Sequence, residues 1–274
     1  METERRPGGS AQAFAILLFL VLMTVVSVGI FVGRVWWFPP AITALGDAVD
    51  RQFARTFVLC GVIFFLAQIG LAFVVWRYRD RRGRAVYSHG NNKLEAIWTS
   101  AAAVLFLGLG LAAERAWASL HFVGAEPGAL QVEVTGQQFA WNFRYPGPDG
   151  KFGRTDPTLI NDSGGNPLGL DEKDPASADD IVAPVITVPV NREVELILRA
   201  KDVTHSFFVR ELRLKQDTVP GLVLRVHFTA TRTGAYEVAC AELCGLGHHR
   251  MKSMLNVVPE ADFEKWLGEQ APQE

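Results

Sequence analysis

Before Trp117 the chain contains three apolar stretches with almost no charge, roughly Phe14 to Val32, Phe57 to Trp76 and Ala96 to Ala113. At about 1.5 Å per helical residue, about 20 residues cross the roughly 30 Å hydrocarbon core of a bilayer, and each stretch comes close to that length. The second holds Gln68 but no charge between Val58 and Val75, and the third has none from Ala96 to Ala113. Buried helices of soluble proteins seldom stay uncharged so long, so both read as membrane spans. The first follows Arg5 and Arg6, a pattern shared with secretory signals. Its apolar core is longer than a signal core, however, and it ends in Arg34, Trp36, Trp37, Phe38, Pro39 and Pro40, an interfacial aromatic cluster. A retained helix is therefore expected, and a cleavage point, if one exists, would fall within Ala41 to Ala48.

The loop between the second and third stretches is the most basic, with Arg77, Arg79, Arg81, Arg82, Arg84 and Lys93. The positive-inside rule puts it in the cytoplasm together with the N-terminus, and everything after the third span on the outer, periplasmic side. Charge divides the same way: 12 Lys or Arg against 7 Asp or Glu up to Ala116, and 15 against 22 from Trp117 onward. An acidic exported half excludes nucleic acid as a partner and suits the steering of a basic protein. The expected organisation is an N-terminal transmembrane helix or signal segment (1–34), a two-helix transmembrane hairpin (35–116) and one exported domain (117–274).

From Leu130 the pattern changes to short β-like runs: Leu130 to Thr135, Gln138 to Tyr145, Val185 to Val188, Val194 to Ala200, Leu222 to Thr229, Gly234 to Ala239 and Ser253 to Val258. Val194, Leu196 and Leu198 alternate with Glu195 and Arg199, as in a half-buried strand. The fold class expected is two or three N-terminal membrane helices followed by an all-β sandwich or barrel. Residues 147–183 interrupt the series as a long acidic insertion; its Asp156, Asp162, Asp171 and Asp174 form no ordered calcium-ligand pattern. Ala261 to Gln270 reads as an amphipathic helix around Phe263, Trp266 and Leu267.

Three cysteines exclude a disulfide framework, and Cys60 lies in an apolar run as a small hydrophobe. Cys240, Cys244, His248 and Met251 stand at spacings of four, four and three in one turn-rich stretch, where Gly245 and Gly247 permit a tight backbone path. Two thiolates and an imidazole could hold zinc, and the cysteines alone could form a disulfide. A thioether favours copper, because zinc sites rarely use one and copper electron-transfer sites do. One cysteine suffices for a mononuclear blue site, so two suggest thiolates bridging two copper ions. The second histidine this requires is best supplied by His205 in Val203-Thr204-His205-Ser206-Phe207-Phe208. His249 and Met254 lie off the spacing, His227 reads as structural, and His89 and His121 carry no assignable chemistry.

These motifs, with Lys215-Gln216-Asp217-Thr218-Val219-Pro220-Gly221, resemble subunit II of the haem-copper cytochrome c oxidases from roughly Phe57 onward. The resemblance implies a cupredoxin domain carrying the dinuclear copper centre CuA. In it Cys240 and Cys244 bridge the coppers, His205 and His248 bind one each, Met251 is a weak axial ligand and Glu242 ligates through its backbone carbonyl. It further implies magnesium binding through the Glu242 side chain at the contact with subunit I, and a place for Glu95 near the mouth of a proton channel. The implied partners are subunit I, subunit III, membrane lipid and cytochrome c or a similar soluble carrier, whose electrons pass to haem in subunit I for reduction of oxygen to water. Within Gly136 to Tyr145, Trp141 matches the family but Phe139 stands where its electron-receiving tryptophan is expected. The copper subunit of a nitric-oxide reductase and a copper-free scaffold of a quinol oxidase are the alternative functions. The anchoring segments weigh against a nitrous-oxide reductase, and the full ligand set against a copper chaperone.

Overall fold

The computed structural model describes residues 9–79, 87 and 89–270. The three apolar stretches form helices α1 (Gly9–Val32), α2 (Ala44–Arg77) and α3 (Asn92–His121), each long and apolar enough to cross a membrane. Their leucines, valines and phenylalanines face outward almost without exception, the reverse of a water-soluble core. Helix α2 starts well before its apolar run, with Asp47, Asp50, Arg51 and Arg55 in the added turns. Helix α3 starts at an Asn cap: the Asn91 side-chain oxygen accepts from the Lys93 and Leu94 amides at 3.1 and 3.2 Å. Arg5, Arg6, Arg81, Arg82 and Arg84 lie outside the described residues.

The chain divides into two compact units, Met1–Phe38 with Arg51–Ala113, and Pro39–Asp50 with Glu114–Glu274. The second is a sandwich of two five-stranded sheets. One runs β3 (Ile181–Ala183), β2 (Ala140–Tyr145), β1 (Leu130–Gln137), β5 (Glu193–Ala200), β8 (Leu224–Thr229). The other runs β4 (Ile186–Pro189), β10 (Lys252–Val258), β9 (Gly234–Cys240), β6 (His205–Val209), β7 (Leu214–Thr218). The pairs β1–β5 and β4–β10 are parallel and the others antiparallel. Alternating side chains meet between the sheets, with Val132, Val134, Phe143, Leu196, Leu198, Phe207 and Leu255 fully buried. Each such Val, Leu or Phe contributes about 1.5–3 kcal/mol of burial. The short helix α4 (Pro175–Ala178) lies within the insertion, and α5 (Glu260–Gln270) closes the core by packing Phe263 and Trp266 around Tyr145. The Tyr145 hydroxyl donates to the Thr187 carbonyl at 2.9 Å and accepts from its amide at 2.8 Å, tying β2 to β4, and burial raises its phenol far above the usual value.

All seven expected strands form, and β3, β6 and β7 are additions. Strand β2 starts at Ala140 and not at Gln138, because Gln138 and Phe139 make the turn after β1. The acidic insertion is ordered. At its root the buried Arg144 guanidinium donates to Asp180 (Nε–Oδ2 3.0 Å), the Gly153 carbonyl and Glu133 (3.4 Å). Beyond the root, Asp171 pairs with Arg154, Asp162 holds Lys201 at 2.8 Å, and Asp156 caps the 3₁₀ turn Pro157–Leu159. The sequence also gave no sign that Pro39–Asp50 joins the β unit. There the Ile42 amide donates to the Glu211 carbonyl at 3.0 Å, Thr231 donates to Ile42 at 2.7 Å, and Arg213 forks onto Asp50 at 2.7 and 2.8 Å. Ala41, Ile42 and Thr43 are buried by these contacts.

Candidate metal centre

Strands β6, β9 and β10 are consecutive antiparallel neighbours apart from their order in the chain, so the start of β6, the end of β9 and the start of β10 share one end of the sheet. This register gathers His205, the first residue of β6, Cys240, the last of β9, and Met251, just ahead of β10. Phe207 faces Cys240, the Ala241 amide donates to the Ser206 carbonyl at 3.0 Å, and the Cys240 amide donates to the Met251 carbonyl at 3.1 Å. The loop is thus closed at its neck. Inside it Gly245 takes φ +134°, open to glycine, and the Arg250 and Met251 amides return to the Gly247 and His248 carbonyls in a 3₁₀ turn that carries His248 inward.

The sulfurs of Cys240 and Cys244 stand 3.9 Å apart as free thiols. The Cys244 sulfur lies 3.7 Å from His248 Nδ1 and 3.8 Å from Met251 Sδ, and the Cys240 sulfur 3.2 Å from the Glu242 carbonyl oxygen. Ligand atoms of His205, Cys240 and Cys244 fall within 4.8 Å of one another. Cysteine pairing at about 2.05 Å is absent from this arrangement. Both sulfurs could instead reach one ion, since metal–thiolate bonds are about 2.3 Å.

The strongest sign of a missing partner is His205, whose side chain is wholly buried. Its Nε2 meets Asp202 Oδ1 at 2.8 Å, while Nδ1 is buried with no hydrogen-bond partner. Burial opposes ionisation of Asp202, yet hydrogen bonds from the Gln138 amide, the His205 ring and the Val203 amide outweigh it and hold the carboxyl below its usual range. An ionised carboxylate only accepts, so Nε2 carries the proton and Nδ1 offers its lone pair to the site. This carboxylate–imidazole arrangement is the usual support of a metal-binding histidine. Burial, followed by the neighbouring Cys240 thiol, pushes Cys244 up to about 11, so a metal must displace its proton. Soft sulfur and imidazole donors that converge with one lone pair unmatched fit copper.

Phe139 and Trp141 stand in different places. Phe139 is 38 % exposed, its ring against the backbone of the loop: a Cβ on Gly247 would lie 2.4 Å from it. Trp141 is 2 % exposed, behind the site, with ring centroids 6.1 Å from His205 and 5.7 Å from Phe207. The Glu242 side chain points to solvent, Glu95 is exposed in the first turn of α3, and His249 is exposed. His227 bonds Glu193 at 2.7 Å in β8, as a structural residue does. Sequence reading missed Asp202 and Gln138; only the position of Asp202 three residues before His205 hinted at either.

Helical anchor, two-sheet sandwich and sulfur-rich cluster define a membrane-anchored, cupredoxin-like metal-binding protein. A family model described as the periplasmic domain of cytochrome c oxidase subunit II matches residues 130–258. The alternative cytochrome c oxidase subunit 2 of Bradyrhizobium diazoefficiens is 37% identical over 262 residues, spanning 93% of this chain and 92% of that one. Cytochrome c oxidase subunit 2 of Thermostichus vulcanus is 30% identical over 282 residues, spanning 83% and 76%. The solved periplasmic domain of subunit II of cytochrome oxidase from Bradyrhizobium japonicum superposes with a TM-score of 0.39 at 28% identity, covering 53% of this chain and 95% of that domain. The chain belongs to the cytochrome c oxidase subunit II family, and so to an oxidoreductase complex of the haem-copper oxidase kind. It is membrane-anchored with its β unit on the outer side, and the family together with the His205–Cys240–Cys244 cluster indicates copper as the metal.

Proposed function

We propose that this chain is the electron-accepting subunit of a haem-copper terminal oxidase, holding two coppers of the CuA type and relaying electrons from cytochrome c or a similar carrier to haem in subunit I. The observation that carries the reading is the pair of thiol sulfurs 3.9 Å apart, flanked by His205 and by His248, with Met251 behind them. Two coppers bridged by both sulfurs would share one unpaired electron, so that each bond changes little on reduction. Cys240, Cys244, His205, His248, Met251 and the Glu242 carbonyl would hold the copper, with one histidine for each ion, and the copper would supply one-electron acceptance and release. Asp202 fixes the His205 tautomer, and the closed neck of the loop excludes water from Cys240 and Met251.

Phe139, exposed over the ligand loop, is the electron input, and Trp141 backs His205 from within. The outward carboxylate of Glu242 suits magnesium at the contact with subunit I, and Glu95 suits the cytoplasmic mouth of a proton channel in subunit I; subunit III completes the complex. Metal analysis of the full chain in detergent, followed by rapid mixing with a reduced c-type cytochrome, tests the reading. Two coppers per chain and electron uptake are expected. A copper-free chain under copper-loading conditions would favour the quinol-oxidase scaffold, one zinc would make the site structural, and loading without electron uptake would remove the relay. If both results hold, activity of the assembled complex towards oxygen or nitric oxide separates an oxidase from a nitric-oxide reductase.

A further inference from the structure

The two segments that bring His205 and Cys244 together start from different strands, and β6–β9 pairing fixes only the neck of the loop. Beyond Cys240 the chain runs through Gly245 and Gly247, residues that leave a backbone free to move. A third segment reaches both sides. The turn between β1 and β2 belongs to the opposite sheet and carries Gln138. Its main-chain amide donates to Asp202 Oδ2 at 2.7 Å, and the other oxygen of that carboxylate holds His205 Nε2 at 2.8 Å. Its side-chain amide donates to the Cys244 carbonyl at 2.5 Å.

The loop is shaped to admit this turn. A Cβ on Gly245 would lie 2.8 Å from the Gln138 amide nitrogen and 3.1 Å from the Phe139 ring. The absence of a side chain at Gly245 therefore serves the contact as well as the +134° φ. Gly136, in β1 two residues before Gln138, likewise lets His205 and Trp141 approach: a Cβ there would meet them at 2.9 and 3.1 Å. One short hairpin end thus touches the imidazole through a carboxylate and the thiol-bearing loop directly.

We propose that Gln138 is a positioning residue that clamps the Cys244 loop to the Asp202–His205 pair across the two sheets, holding the donor atoms at one spacing. The inference rests on the ligand roles proposed above for Cys244 and His205. Support of this kind is worth about 10–100-fold in metal affinity elsewhere. A donor set held from outside reorganises less when an electron arrives, which ties Gln138 to relay as well as to retention.

The test compares the full chain in detergent with Gln138→Glu, Gln138→Ala and Gln137→Ala. Gln138→Glu keeps the side-chain size but cannot donate to the Cys244 carbonyl when ionised. Gln137 accepts from Lys201 at 2.8 Å, and not from Asp202 or the Cys244 loop, and serves as the neighbouring control. Copper loss to a chelator is expected to quicken roughly tenfold in both Gln138 variants, with an altered copper hyperfine spectrum, and to stay within about twofold in Gln137→Ala. In the metal-free chains, alkylation of Cys244, read by peptide mass spectrometry, should rise severalfold in the same two variants only. Unchanged copper loss, spectrum and alkylation in both Gln138 variants would overturn the clamp. If the parent chain holds no copper, the ligand reading falls, and the alkylation rates alone decide whether Gln138 locks the loop.

Discussion

Two long excursions leave the sheets of the β unit, and they differ in how their polar groups are matched. The insertion at 147–183 is rich in acids, yet it holds cations of the same chain, Asp171 with Arg154, Asp162 with Lys201 and Asp180 with Arg144, and its unmatched buried atoms are single oxygens of Asp179 and Asp180 beside those pairs. The ligand loop from Cys240 to Met251 contains one acid, and its soft donors face one another with an adjacent buried imidazole nitrogen unmatched. Residues that satisfy one another build structure; donors that converge without a partner await one. Acid count alone would have pointed to the wrong excursion.

The largest break in this contrast comes from Cys244→Ser. It should abolish the paired-copper signature while the helical anchor still inserts; two coppers with unchanged spectra in the variant would defeat the ligand assignment. A ligand present at 1,000 times its Kd stabilises a fold by about 4 kcal/mol, so stripping copper should lower the melting temperature of the parent chain and leave that of Cys244→Ser unmoved. Calorimetry with and without chelator measures both.

Next in size is Arg144→Met at the root of the insertion. Removing one partner of a buried ion pair costs about 3–5 kcal/mol; Asp180 would lose its cation, while Glu133 would keep Arg199 at 2.7 Å. Denaturant unfolding should show the loss, whereas molecules that remain folded should keep the parent copper spectrum. A changed spectrum in the folded fraction would mean that the two excursions are not independent. Phe139→Trp is a smaller change: copper content stays as in the parent, and the rate of oxidation of a reduced c-type cytochrome shifts severalfold. Equal rates with several donors would place the electron input elsewhere.

Acid should produce the smallest effect, and only on the insertion. The Arg154 guanidinium holds Asp171 below its usual range, and Lys201 does the same for Asp162. For a depressed carboxyl, the stabilisation is present above the unfolded value and is lost as pH falls through the folded value. The protection of amides across 154–171 against exchange should therefore fall below about pH 4, the ordinary carboxylate range, before that of the strands does. Burial acts oppositely on Asp180, raising it despite Arg144, so protonation there does not add to the loss. Insertion amides as protected at pH 3 as at pH 7 would contradict this ordering.

Much of this was legible in sequence because the signals are local. Uninterrupted apolar runs gave the helices, alternation gave seven strands, and spacing within twelve residues of chain gave Cys240, Cys244, His248 and Met251 as a set. His205 came from chemistry, as the missing second imidazole, and the start of β6 places it within reach. What was not legible depends on contacts distant in the chain. Strands β6 and β7 were hidden because Ser206, Lys215, Gln216 and Asp217 break the alternation, and pairing of β6 with β9 and of β7 with β6 stabilises them. Asp202 and Gln138 acquire meaning only once a turn from the opposite sheet meets the loop, and no local pattern marks Pro39–Asp50 as part of the β unit.

The central claim is that two copper ions share one electron between Cys240 and Cys244, and electron paramagnetic resonance of the copper-loaded full chain tests it most directly. The account predicts two coppers per chain and the hyperfine pattern of one electron spread equally over two copper nuclei. A pattern from a single copper nucleus, or one metal per chain, would contradict it.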